Sequence, residues 1–287
     1  MERNVETFLG CEAGYEDARI ALYGAPFDST TSYRPGTRFA SRAMRAESYG
    51  LETYSPYQDL DLEDARVFDG GDLELCFGDT GKALGDIKKF AAQVLADGKL
   101  PFLIGGEHLV SLPAIEAAAE KYPGLCLVHF DAHTDLREDY LGARLSHATV
   151  IRRAWDILGD GRIHQFGIRS GEREEFLWAR GHTHLHKFDF GGLDESLVAL
   201  KGKPVYFTID LDVMDPSVFP GTGTPEAGGV TFLALMQAAL KVIWGCHVVG
   251  CDMVELSPPC DTSGASTAVA LKLWREMLLA LDRKNKR

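Results

Sequence analysis

The chain reads as a succession of short apolar runs, each closed by a turn and most followed by a stretch of helical spacing. The first run, residues 20–24, ends in Ala25-Pro26-Phe27-Asp28. Further strands are predicted over 101–104, 125–130, 162–168, 184–188, 205–209 and 247–252. Apolar positions three and four apart predict helices over 86–96, 112–121, 147–158, 233–242 and 266–281. Runs such as Cys126-Leu127-Val128 and Val205-Tyr206-Phe207 are apolar without alternation, which suits strands covered on both faces. Strands alternating with helices predict an α/β fold, a mostly parallel sheet with helices on either side. No linker, repeat or low-complexity tract divides residues 1–287, so they are read as one domain.

Charge narrows the partners. With 42 acidic and 30 basic residues the formal net charge is −12, which disfavours nucleic acid and weakly favours a cationic small molecule. No apolar run is long enough for a membrane span. The start Met1-Glu2-Arg3-Asn4-Val5-Glu6 lacks a secretory pattern, so a cytoplasmic protein without membrane partners is expected. Cys11, Cys76, Cys126, Cys246, Cys251 and Cys260 form no Cys-x-x-Cys pair, and are read as free thiols in a reducing compartment.

The chemistry gathers where strands end, the place where open α/β sheets bind ligands. Gly105-Gly106-Glu107-His108 follows one strand and Asp131-Ala132-His133-Thr134-Asp135 another. Asp210-Leu211-Asp212, with Asp215-Pro216, follows a third, and Glu255-Leu256-Ser257-Pro258-Pro259 a fourth. If the extended conformation continues, Asp131, His133 and Asp135 point to one side, as do Asp210 and Asp212. So many ionisable groups in one crevice would repel and desolvate one another, a conflict that divalent cations remove. Four carboxylates and two imidazoles, counting His108, are enough to ligate two ions with shared bridges. The nitrogen and oxygen donor set favours Mn²⁺, and leaves Co²⁺, Ni²⁺ and Zn²⁺ open.

These motifs, together with Val254-Glu255-Leu256-Ser257-Pro258 and the loop Pro220-Gly221-Thr222-Gly223-Thr224-Pro225, resemble those of the ureohydrolase family, the arginases and agmatinases, on its bacterial agmatinase side. The resemblance runs from Tyr23-Gly24-Ala25-Pro26 to the last helix. It implies a single three-layer domain with a central, mainly parallel sheet of about eight strands, and commonly a homo-oligomer, trimer or hexamer. It also implies two Mn²⁺ per subunit held by His108, Asp131, His133, Asp135, Asp210 and Asp212, with Asp131 and Asp210 as bridges. The expected reaction is hydrolysis of the guanidinium group of agmatine to putrescine and urea by a hydroxide shared between the metals.

Within that resemblance Asp135 is expected to relay a proton to the departing amine, and the non-ligand His147 to shuttle protons. For His147 a helix cap near Ala148 is the competing reading. Glu255 is expected to pair with the guanidinium as a bidentate acceptor, with Thr224 as a further hydrogen-bonding contact or an ordinary turn residue. The segment from Leu136 to Ser146 lacks an arginase-type Asn/Ser pattern. Glu138 and Asp139 there are candidate contacts for an ammonium tail, whereas Arg137 and Arg144 would suit a carboxylate tail; salt-bridged loop charges are the plain alternative for all four. Another guanidine-cleaving activity (a guanidinobutyrase, a guanidino-acid hydrolase or an arginase) and a non-catalytic relative stay open as alternatives. His182, His184 and His186 are read as surface residues rather than a second metal site.

Overall fold

The computed structural model describes residues 6–285 of the chain. Residues 1–5, most of the segment read as lacking a secretory signal, and residues 286–287 of the basic C-terminus lie outside the described residues. Eight strands form one sheet: β1 (Ile20–Gly24), β2 (Val67–Asp72), β3 (Leu100–Ile104), β4 (Cys126–Phe130), β5 (Ile163–Ile168), β6 (His184–Lys187), β7 (Pro204–Asp210) and β8 (His247–Val254). Their order across the sheet is β2-β1-β3-β8-β7-β4-β5-β6, and every pairing is parallel. A separate two-stranded hairpin joins Tyr54–Ser55 to Leu60–Asp61.

The helices are α1 (Ala40–Glu47), α2 (Thr80–Ala96), α3 (Ser111–Lys121), α4 (Val150–Leu158), α5 (Arg173–His182), α6 (Leu193–Ala199), α7 (Phe232–Gly245) and α8 (Ala265–Asn285). Consecutive strand residues feed opposite cores. Phe102, Val128 and Phe207 pack with Trp274 of α8 and Leu235 of α7, while Leu103, Leu127 and Tyr206 pack with Ile87 of α2 and Ile115 of α3. That two-sided burial is why these strands carry no polar alternation. Each such side chain taken fully from water stabilises the fold by roughly 1.5–3 kcal/mol.

The predicted elements fall close to their sequence positions, with differences that have local causes. Helix α2 begins at Thr80, where Asp79 accepts from the Lys82 amide, six residues before the apolar period becomes visible past Gly81 and Gly85. Helix α5, with a sequence of Arg-Glu-Glu-Phe-Leu-Trp-Ala-Arg-Gly-His, buries only Glu175 and Ala179 and so shows no apolar stripe. Strand β2 reads Val-Phe-Asp-Gly-Gly-Asp and lies at the sheet edge, again without an apolar run. Among the described residues no helix is long and apolar enough to cross a membrane. All six cysteines are free, four of them buried.

Candidate metal centre

The four central strands, β3, β8, β7 and β4, deliver the polar clusters to one end of the sheet. The loop after β3 can turn there because Gly106 lies against the backbone of Phe27; a Cβ on Gly106 would sit 1.9 Å from the Phe27 carbonyl oxygen. His108 follows in a short 3₁₀ turn and is buried. Its Nδ1 lies 3.1 Å from Asp131 Oδ2, 3.2 Å from Asp135 Oδ2 and 3.4 Å from Asp210 Oδ2. A second group adjoins the first: His133 Nδ1 is 2.9 Å from Asp212 Oδ2 and 3.4 Å from Asp131 Oδ1. Asp131 therefore faces both groups, one oxygen to each, as a bridging ligand must. Asp210 presents Oδ2 to His108, while its Oδ1 accepts the Asp212 amide at 2.8 Å.

The convergence of Asp131, His133 and Asp135 does not arise from a continued strand. Strand β4 stops at Phe130, and Asp135 has φ +52°, in the left-handed region. Glu255, one residue past the end of β8, has φ +65°. Two of the five non-glycine residues held in this sparsely populated region among the described residues are thus at the site, where they mark backbone positioned against its local preference.

Hydrogen bonding tests whether these donors fit cations. Thr208 donates its hydroxyl to Asp252 Oδ1 at 2.6 Å, so its oxygen accepts from His108 Nε2, 3.0 Å away. In the neutral ring that leaves Nδ1 as a lone pair aimed at three carboxylate oxygens. Nδ1 of His108 and Oδ2 of Asp212 are both buried without a hydrogen-bond donor. Buried acceptors facing acceptors is the arrangement that divalent ions satisfy. The six residues predicted as ligands are all in these two adjoining groups, which suit two ions.

Residues outside that set hold it in place. His129 on β4 accepts from Gln165 Nε2 at Nδ1 (3.1 Å), so its Nε2 donates to Asp131 Oδ2 at 2.8 Å. Glu107 is fully buried and accepts from the backbone and hydroxyl of Thr30 and from the hydroxyl of Thr31. Burial raises its carboxyl to about 7. Neither His129 nor Glu107 received a role from the sequence, although Glu107 stands inside a motif that had drawn attention.

Above the ligands lies an open cleft of about 260 Å³, lined by His133, Asp135, His147, Thr224 and Glu255 among others. Glu255 accepts the His108 amide at Oε1. Its carboxyl is pushed well above the usual range by burial and by Glu107. Burial, then Asp131, raises Asp135 to about 7. His147 is not a helix cap: Ser146 takes that place, and His147 turns Nε2 toward Ser32 Oγ at 3.3 Å. Burial chiefly lowers His147 to about 4.

The loop charges part company with expectation. Glu138 pairs with Arg152 at 2.7 Å and Arg153 at 3.3 Å, and Asp139 accepts the Gly142 amide at 3.0 Å, so neither lines the cleft. Arg144 pairs with Asp156 away from it. Of the four, only Arg137 faces the cleft. The three histidines 182, 184 and 186 do not converge. His182 ends α5, stacked on Trp178 and paired with Asp160, while His184 stacks on His164 and His186 on Phe166.

A parallel α/β sheet with two adjoining imidazole–carboxylate groups at the carboxyl ends of its central strands defines a binuclear metallohydrolase class. Within it, the family model described as the arginase family matches residues 18–280, and the chain belongs to that family. It is 47% identical over 277 residues, 96% of each chain, to an agmatinase of Bacillus anthracis. It is 35% identical to a guanidinobutyrase of Pseudomonas aeruginosa, over 91% of this chain and 86% of that one. The crystal structure of agmatine ureohydrolase of Thermoplasma volcanium superposes with a TM-score of 0.89 at 33% identity, covering 99% of this chain and 97% of that one.

Proposed function

We propose that this chain hydrolyses agmatine to putrescine and urea with two Mn²⁺ per subunit. The observation that carries the reading is Glu255, a carboxylate in the cleft wall immediately beside two ligand groups that share Asp131. The likeness to agmatinases at 47% identity supports the choice of substrate over other guanidines. Manganese is supported by a donor set of imidazole nitrogen and carboxylate oxygen without thiolate.

A guanidinium carbon is a poor electrophile, because its charge is spread over three nitrogens. Bound between these donors, two divalent ions would supply Lewis acidity and lower the pKa of water toward neutrality. The chain's own residues do the rest. Glu255 accepts from the planar N–H edge of the guanidinium and fixes its carbon over the ligand groups. Thr224 adds a hydrogen bond from the opposite loop. Asp135 carries a proton to the leaving nitrogen as the C–N bond breaks, so that putrescine departs as an amine and the carbon leaves as urea. His147, at the mouth of the cleft beside Ser32, exchanges protons with solvent. Glu138 and Asp139, tied to other partners, have no part in this reading.

The protein is further proposed to act in the cytoplasm as a homo-oligomer, trimer or hexamer, each subunit a single domain. Light scattering on the purified protein tests the assembly. The activity is tested by urea release from the Mn²⁺-loaded protein offered agmatine, arginine and 4-guanidinobutyrate in parallel. Preference for agmatine is expected; turnover of a carboxylate-bearing guanidine alone would overturn the substrate while keeping the chemistry.

A further inference from the structure

We propose that Glu172, through its ion pair with Arg137, determines which charge the cleft accepts on the tail of its guanidine substrate. The inference rests on the function proposed above. Among the described residues lining the cleft, Arg137 is the sole lysine or arginine. Left alone, its planar guanidinium would be a bidentate site for a carboxylate tail. It is not left alone. Its Nη1 lies 2.8 Å from Glu172 Oε1, and its guanidinium carbon sits 4.8 Å from the centre of the Tyr140 ring.

Glu175 also lies near, 3.7 Å from Arg137 Nε, but its oxygens are otherwise engaged. Oε2 accepts from Thr134 Oγ1 and from the Leu136 amide, and Oε1 from the Glu172 amide at 2.8 Å. Glu172 is thus the close carboxylate partner that neutralises Arg137. Its loop is fixed in place: Gly171 has φ +154°, and a Cβ there would sit 2.6 Å from Thr134 Oγ1, one residue from the ligand Asp135. With Arg137 balanced by Glu172, the carboxylate of Glu175 leaves this wall formally negative. A cationic tail meets a complementary surface, whereas an anionic tail must first break the pair. The sequence left Arg137 open between a contact for a carboxylate tail and a salt-bridged loop charge, because Glu172, 35 residues later, could not be seen opposite it.

The test uses the Mn²⁺-loaded full chain as wild type, Glu172→Gln and Arg137→Gln. Each is assayed for kcat and KM on agmatine and 4-guanidinobutyrate, with inhibition by putrescine and 4-aminobutyrate as a readout of tail binding. In Glu172→Gln the kcat/KM ratio of agmatine to 4-guanidinobutyrate should fall about fivefold, the worth of a partly exposed ion pair, through KM rather than kcat. Inhibition by 4-aminobutyrate should strengthen. In Arg137→Gln the ratio should rise and 4-aminobutyrate should inhibit less than in wild type. Glu172 also caps α5, so if Glu172→Gln fails to fold, Arg137→Gln decides alone. A wild type that prefers agmatine, with ratios unmoved in the folded variants, overturns this inference and leaves the proposed function standing. A wild type that prefers 4-guanidinobutyrate overturns both.

Discussion

The backbone amide of His108 donates to Oε1 of Glu255 at 2.7 Å, joining residues 147 positions apart. A candidate metal ligand and the carboxylate assigned to the substrate are therefore tied directly to each other. Glu255→Gln keeps an acceptor for that amide and removes the charge. The expected result is a fall in kcat/KM for agmatine of about 10²-fold, with two equivalents of metal retained by elemental analysis. Loss of metal in this variant would instead make Glu255 a support of the ligand shell.

His147 faces the cleft but no ligand group, so replacing it should spare the metals. His147→Asn is expected to lower kcat by about 10²-fold or more, with metal content and KM close to wild type. If the metals are lost as well, the residue belongs to the ligand set and the proton-exchange role is wrong.

The chain from His108 Nε2 through Thr208 to Asp252 fixes which ring nitrogen is free for a cation. Thr208→Val keeps the volume and removes both hydrogen bonds. Competition against a chelator should show metal affinity weakened by roughly 10–100-fold, while far-ultraviolet circular dichroism stays that of the wild type. Unchanged affinity would mean that packing alone orients the imidazole.

Asp261 anchors the loop that carries Thr224. It accepts from the amides and hydroxyls of Ser263 and Ser266, and Ser266 Oγ in turn accepts the Gly221 amide at 2.8 Å. Hydrogen bonds from Ser263 and then Ser266 hold its carboxyl well below the usual range. A group depressed in the folded state contributes stability that is complete above its unfolded value, roughly 3.9, and is lost as pH falls below it. Asp261→Ala should lower stability by about 1 kcal/mol at pH 7, and the gap to wild type should narrow toward pH 3. Denaturant midpoints on metal-free protein at both pH values decide it; an equal gap at both would sink the ionic account.

What the sequence disclosed followed from burial. The three strands that lead into the candidate metal ligands, and the one that leads into Glu255, lie in the middle of the sheet, so they are apolar on both faces and easily recognised, and the polar motif after each is conspicuous by contrast. Strand β2 at the edge and helix α5 at the surface bury little and left no periodic trace. The candidate ligands could be singled out because they come in tight sequence clusters. The partners of the loop charges could not: Glu138 meets Arg152 and Arg153 from the following helix, a pairing that no local pattern encodes. His129 was hidden differently, as one polar residue in an apolar strand whose purpose depends on Gln165 of the neighbouring strand.

The strand order has a consequence for the nascent chain. Strands β3 and β4 are neighbours in sequence, yet β8 and β7 lie between them in the sheet, β8 against β3 and β7 against β4. His108 and Asp131 thus leave the ribosome early but cannot take up their final relation until the last third of the polypeptide threads into the gap. A truncated or half-translated product holds His108 and Asp131 without the two strands that align them. Hydrolytic competence therefore arrives late in biogenesis, with the insertion of the final strand.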